Sequence, residues 1–264
     1  MVYEHIILGG SEDVPVIEIN RPEIGNAFTP DMGDELTHIL RHLISDDAVR
    51  AIILTGSGAH FCERSHPDYL VSKLRGKDGK RFGDQEFFNE FFVELSRCTT
   101  PLIAAINGHA TGIGCAIALP FDIRIAASTS TFDFDFARRA LVPALGATHI
   151  MQRLIGSAKT AELLFCNAVI DASEALSLGL VNHVVPRHQV MAKALEIAEQ
   201  IKKSPPAAIA AMKRSLAFAA HSSLGAAIAN ERRENEALRE TTVAIMETLD
   251  IDQENKSRSG RDLH

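Results

Sequence analysis

The stretch PLIAAINGHATGIGCAIALPFD, residues 101–122, decides how this chain is read. A β-branched apolar run, Leu102–Ile106, ends at the turn Asn107-Gly108. After a short loop, Gly112-Ile113-Gly114 opens a second apolar run containing Cys115, Ala116, Ile117 and Leu119. Strand, glycine-flanked backbone and helix start follow in that order, which leaves free N–H groups at the positive end of a helix. Such a point favours an anion, including a carbonyl oxygen that gains charge during a reaction. Gly112 and Gly114 carry no side-chain bulk, so a ligand can approach the main chain there. A tight packing turn between strand and helix would read the same way.

Upstream, residues 50–56 (RAIILTG) form a buried-strand candidate, followed by His60-Phe61-Cys62-Glu63-Arg64-Ser65-His66-Pro67. Four blocks occur in order: NRPEIGNAF (20–28), RAIILTGSGAHFC (50–62), the 101–114 block, and EALSLGLVNHVVP (174–186). Together they resemble the crotonase, or enoyl-CoA hydratase/isomerase, superfamily from about residue 2 to residue 185, with a compatible helical tail. The resemblance implies an α/β fold, a crotonase-like spiral of ββα units. It also implies a core over 1–200 and a helical trimerisation region over 201–264. Its partners would be an acyl-CoA substrate and further copies of the chain, as a homotrimer or a dimer of trimers, in fatty acid metabolism. No cofactor beyond the CoA moiety is implied.

Crotonase-like enzymes stabilise an enolate-like oxyanion with two backbone N–H groups, and by motif position these belong here to Ser65 and Ile113. Substrate contacts carried over the same way fall on Ala27, Glu63, Arg64, Ser65, Pro67, Gly112, Ile113 and Phe136. Backbone donors tolerate side-chain replacement, and loss of one costs roughly 3–4 kcal/mol of transition-state stabilisation. The family commonly has glycine where this chain has Arg64, which matters if the site needs positive φ or close approach. Arg64 is expected to turn toward CoA phosphate or Glu63.

The two glutamates that activate water in the family's hydratases fall on Ala116 and Phe136, which cannot transfer protons. Efficient hydration is therefore not expected. In Thr131-Phe132-Asp133-Phe134-Asp135-Phe136, a strand would put Asp133 and Asp135 on one face and three phenylalanines on the other. That pattern is also a polar outer face over an apolar core. An irregular strand end would instead rotate Asp135 inward as a candidate base. His66 is a second candidate, because imidazole titrates near neutral pH; His109 is a further one, and His149 could line the acyl pocket. Arg138 and Arg139 cannot both point into a core, so bridges to Asp133 or Asp135, or to a neighbouring subunit, are expected in preference to substrate binding. Three readings follow: a lyase or isomerase of enolate type, with double-bond isomerisation the simplest; a C–C bond or thioester hydrolase or decarboxylase of the same fold; and a noncatalytic acyl-CoA-binding subunit.

The 264 residues can bury one large core. A net charge of −7 gives no reason to expect nucleic acid. No apolar run reaches membrane-spanning length and no export signal opens the chain. The scattered Cys62, Cys98, Cys115 and Cys166 read as reduced thiols of a cytoplasmic protein, with no metal-ligand spacing. Strands are expected over 14–20, 50–55, Leu102–Ile106, Ile123–Ala127 and 131–136, with a helix after Thr29-Pro30 bearing Met32, Leu36, Ile39, Leu40 and Leu43 on one face. Phe87, Phe88, Phe91, Phe92 and Leu95 have helical spacing. Residues 75–83 read as a surface loop whose Lys77, Lys80 or Arg81 could meet nucleotide phosphates. Beyond Pro186 the pattern is helical, broken by Pro205-Pro206.

Overall fold

The computed structural model of the chain describes residues 3–66, 70–71 and 86–247. Pro67 and the 75–83 segment with Lys77, Lys80 and Arg81 lie outside the described residues. In chain order the elements are β1 (Ile6–Gly10), β2 (Pro15–Ile19), α1 (Pro30–Ile44), β3 (Ile52–Gly56), β4 (His60–Cys62), α2 (Phe92–Leu95), β5 (Leu102–Ile106), β6 (His109–Thr111) and α3 (Ile113–Ala118). Then come β7 (Ile123–Ala127), β8 (Thr131–Asp133), α4 (Ala147–Ile155), α5 (Ser157–Phe165), β9 (Val169–Asp171), α6 (Ala172–Ser177), β10 (His183–Val185) and α7 (Val190–Lys202). Two further helices are α8 (Pro206–Ala219) and α9 (Leu224–Ala237). Contacts divide the chain into two compact units between Ser204 and Pro205.

The first unit holds two sheets. One has the strand order β1-β2-β3-β5-β7-β10, parallel except for β1 against β2. The other has the order β4-β6-β8-β9, parallel except for β9. Successive pairs β3–β4, β5–β6 and β7–β8 each give one strand to each sheet, which is the spiral of ββα units. All five residues of β3 and of β5 are buried, as expected of parallel strands covered on both faces. Ile52, Leu54, Leu102, Ala104 and Ile106 face the main core between the sheets and α1. Ile53, Ile103, Ala105, Ile125 and Ala127 face the other way, onto Val190, Ala194 and Ile197 of α7.

Helix α1 starts where the sequence indicates: the Thr29 side chain accepts from the Met32 N–H and Pro30 is the first helical residue. Its apolar stripe, Met32 to Leu43, is buried. A π-helical turn, Phe87–Phe91, leads into α2 and buries Phe87 against Phe28, their rings 5.0 Å apart, with Phe91 stacked on Phe87. The strand expected over 131–136 is shorter. It ends at Asp133: the Phe134 N–H still follows the ladder to the Ala168 carbonyl, but the Phe136 N–H folds back onto the Phe134 carbonyl. The alternating two-face arrangement of Asp133 and Asp135 is therefore corrected: Phe134, Asp135 and Phe136 are all buried.

In the second unit, α8 and α9 are joined by Arg214–Glu234 at 2.6 Å and by Asn230 donating to Ser215 at 3.2 Å. Met212, Leu216, Leu224 and Ile228 remain exposed. Among the described residues no helix is long and apolar enough to cross a membrane.

Candidate active site

Two turns meet at one small cavity. Gly112 has φ +56°, a conformation that side chains rarely adopt, and a Cβ there would lie 3.2 Å from Asp135 Oδ1 and 3.5 Å from Arg64 Cβ. Gly114 presses main chain on main chain: a Cβ would stand 1.8 Å from the Cys62 carbonyl oxygen. That approach seats α3 directly on β4 and so brings residue 113 beside residues 64 and 65. Ile113 is the first residue of α3, where an N–H has no partner within the helix.

The other turn is pinned by an isolated parallel bridge between Phe28 and Ser65. Phe28 N–H donates to the Arg64 carbonyl at 3.3 Å and His66 N–H to the Phe28 carbonyl at 3.0 Å. In this pattern the N–H of Ser65 points away from the bridging strand. Buried Asn26 fixes the opposite side, donating to the Ser57 and His60 carbonyls and accepting from the Arg21 N–H. Among the described residues neither the Ser65 nor the Ile113 amide donates a hydrogen bond. Arg64 is not among the residues with positive φ, so the backbone here does not need glycine.

The cavity encloses about 30 Å3, room for about one water molecule, and is lined by Arg64, Ser65, Gly112, Ile113, Asp135, Phe136 and Arg139, with Leu70, Leu141, Val142 and Ala144. Asp135 is 3% exposed and accepts at Oδ2 from Arg139 Nε at 2.6 Å and Arg64 Nε at 3.1 Å. Arg64 also lies 3.7 Å from Asp133 and 3.9 Å from Glu63. Arg138 reaches Asp133 at 3.6 Å. Both adjacent arginines thus bridge to the two aspartates, as their charge requires. Burial, and next the charge of Asp135, raise the pKa of Asp133. Burial pushes the thiols of Cys62 and Cys115 upward, which leaves neither as a ready nucleophile.

Of the remaining residues singled out in the sequence, Ala27 and Ala116 are buried away from the cavity walls. Glu63 faces His60, its Oε1 3.0 Å from Nδ1 without hydrogen-bond geometry. His66 is half-buried and is not among the lining residues. His109 bonds Thr131 through Nδ1 at 2.8 Å and its ring tilts against His60, while His149 is exposed beside Arg153. The sequence reading did not place Arg139 at the cavity. Its spacing of four from Asp135 is the available signal.

A sequence family described as enoyl-CoA hydratase/isomerase matches residues 9–250. The chain belongs to that family. Among its relatives, the short-chain-enoyl-CoA hydratase of Clostridium acetobutylicum is 34% identical over 216 residues, covering 82% of each chain. The 1,2-epoxyphenylacetyl-CoA isomerase of Escherichia coli is 28% identical over 230 residues, covering 87% of this chain and 88% of that one. A crystal structure of an enoyl-CoA hydratase from Bacillus anthracis superposes with a TM-score of 0.87 at 27% identity, covering 95% of this chain and 97% of that one. For this member of the enoyl-CoA hydratase/isomerase family, the action on an acyl-CoA follows from the family.

Proposed function

We propose that the chain binds an acyl-CoA thioester with its carbonyl oxygen on the Ser65 and Ile113 amides, and that Asp135 moves the proton in an isomerase-like reaction. One observation carries this: a buried carboxylate lines the same cavity as two amides that donate no hydrogen bond among the described residues, while Ala116 and Phe136 supply no acid. In a β,γ-enoyl thioester, Asp135 takes a proton from the α carbon. The electron pair passes to the thioester oxygen, where two N–H donors stabilise the charge. Returning the proton to the γ carbon moves the double bond into conjugation, and Asp135 ends as a carboxylate. Water has no general base of its own at position 116 or 136, so hydration is slow.

The test is turnover of a β,γ-enoyl-CoA, followed by the rise in ultraviolet absorbance of the conjugated product. Asp135→Asn should lower kcat by about 100-fold or more while retaining CoA-ester binding, the range expected for loss of a proton-transfer group. Unchanged turnover in that variant removes Asp135 from the mechanism.

A second reading, the noncatalytic acyl-CoA-binding subunit, is favoured by one feature. The described walls leave about 30 Å3, and two guanidinium groups occupy Asp135 Oδ2. Thermal stabilisation by CoA esters with no product across a broad panel would select it. Release of free CoA would select the thioester hydrolase instead. We further propose a cytoplasmic protein that needs no cofactor beyond the CoA moiety. It would associate with itself through residues 201–264, where exposed Met212 and Leu216 border a groove of about 470 Å3 between α8 and α9. Sedimentation at a trimer or hexamer mass supports this; a monomer contradicts it.

A further inference from the structure

Resting on the acyl-CoA reading above, we infer that the substrate's acyl chain carries a carboxylate, and that Arg139, with Arg64, is the group that recognises it. The charged residues in the described cavity wall are Arg64, Asp135 and Arg139, two cations and one anion. An aliphatic acyl chain entering such a space would strip water from a guanidinium and give nothing in return. A carboxylate entering it meets a guanidinium that can donate to it.

Arg139 is the better placed of the two. Arg64 is shared among Asp135, Asp133 and Glu63. Arg139 bonds Asp135 through Nε alone, and among the described residues its two terminal nitrogens have no partner. Those nitrogens carry four N–H donors in a planar fork, the geometry that binds a carboxylate through two parallel hydrogen bonds. The opposing walls are apolar: Phe136, Leu141, Val142 and Ala144 would flank the hydrocarbon between thioester and carboxylate.

The same arrangement explains why the cavity is so small. Arg64 and Arg139 converge on one oxygen of Asp135 across the space that an acyl chain has to occupy. A substrate carboxylate that draws Arg139 toward itself loosens this clamp. The space then opens, and Asp135 is released for proton transfer. An uncharged chain has no means of competing with Asp135 for the guanidinium. Substrate choice and access to the base are thereby coupled through one side chain.

The test compares two CoA esters of equal length, β,γ-hexenoyl-CoA and its ω-carboxylated counterpart β,γ-hexenedioyl-CoA, by calorimetric titration of the full chain. A charge-assisted bidentate pair predicts about tenfold or greater preference for the carboxylated ester. In Arg139→Gln that preference should fall to less than about threefold, and Arg139→Lys, which keeps the charge but not the fork, should fall between. A melting transition like that of the unsubstituted chain establishes that each variant folds. Equal affinity for the two esters, or a preference that survives in Arg139→Gln, overturns the inference and leaves the acyl-CoA reading intact. Binding of neither ester overturns both.

Discussion

Residues 112–113 and residues 64–65 border the same cavity, but their main chain is held in position by different means. The first turn depends on missing atoms. Gly112 occupies a left-handed conformation, and Gly114 lies where any Cβ would overlap the Cys62 carbonyl. The second turn depends on a partner strand. Its two hydrogen bonds to Phe28 fix the backbone of residues 64–66, and side chains there are free to vary. Glycine can therefore be replaced by Arg64 in one turn and cannot be replaced at 112 or 114 in the other. A site whose donors are backbone amides keeps its geometry as long as the elements behind it still pack.

The sharpest way to break this contrast is Gly114→Ala. With 1.8 Å between a new Cβ and the Cys62 oxygen, α3 must move off β4. We expect a loss of at least about 3 kcal/mol in stability, read by denaturant unfolding, with acyl-CoA turnover abolished. Ile113→Pro removes the amide hydrogen, together with part of a buried apolar side chain. Proline is well tolerated at the first position of a helix, so the fold should persist while kcat falls about 100- to 1000-fold, read in the isomerisation assay.

Smaller in effect is Asp133→Asn. The folded state raises the pKa of Asp133 above its ordinary value of 3.8, through burial first and Asp135 second. A raised carboxyl pKa favours folding of the protonated form. Its contribution is present below the unfolded value and is lost as pH rises through the folded value. The amide variant should therefore melt slightly higher than the unsubstituted chain at neutral pH, by no more than about 1 kcal/mol because the group is partly solvated. Near pH 3 that gain should vanish. Smallest of all, Ser65→Ala should change kcat by less than about twofold, since the donor at this position is main chain.

How much of this was legible in the sequence varies along the chain with the kind of force involved. Strands β2, β3, β5 and β7 and the start of α1 are written in apolar runs and in Thr29-Pro30, because burial and capping act locally. Strand β1 was not read as one. Four of its five residues are exposed, so no alternation marks it, and its pairing with β2 is the long-range cause. Strands β4, β6 and β9 are three residues each, too short for a period to show. At the site, Gly112-Ile113-Gly114 announces itself by glycine spacing. Arg139 does not: a second arginine after Asp135 looks like any exposed pair until the chain folds back at Phe136. The inward turn of Asp135 was an open alternative, and its carboxylate is held there by Arg139 and by Arg64, the latter 71 residues away in sequence.

In the proposed complex the amides of Ser65 and Ile113 hold one thioester oxygen. Isotope-edited infrared spectroscopy of a bound CoA ester, labelled at the thioester carbonyl, reads this directly. Two N–H donors polarise the C=O bond, so its stretching band should shift to lower frequency on binding and recover about half of that shift in Ile113→Pro, where one donor remains. A carbonyl band that stays at its solution frequency in the complex, or a shift that Ile113→Pro leaves unchanged, would contradict it.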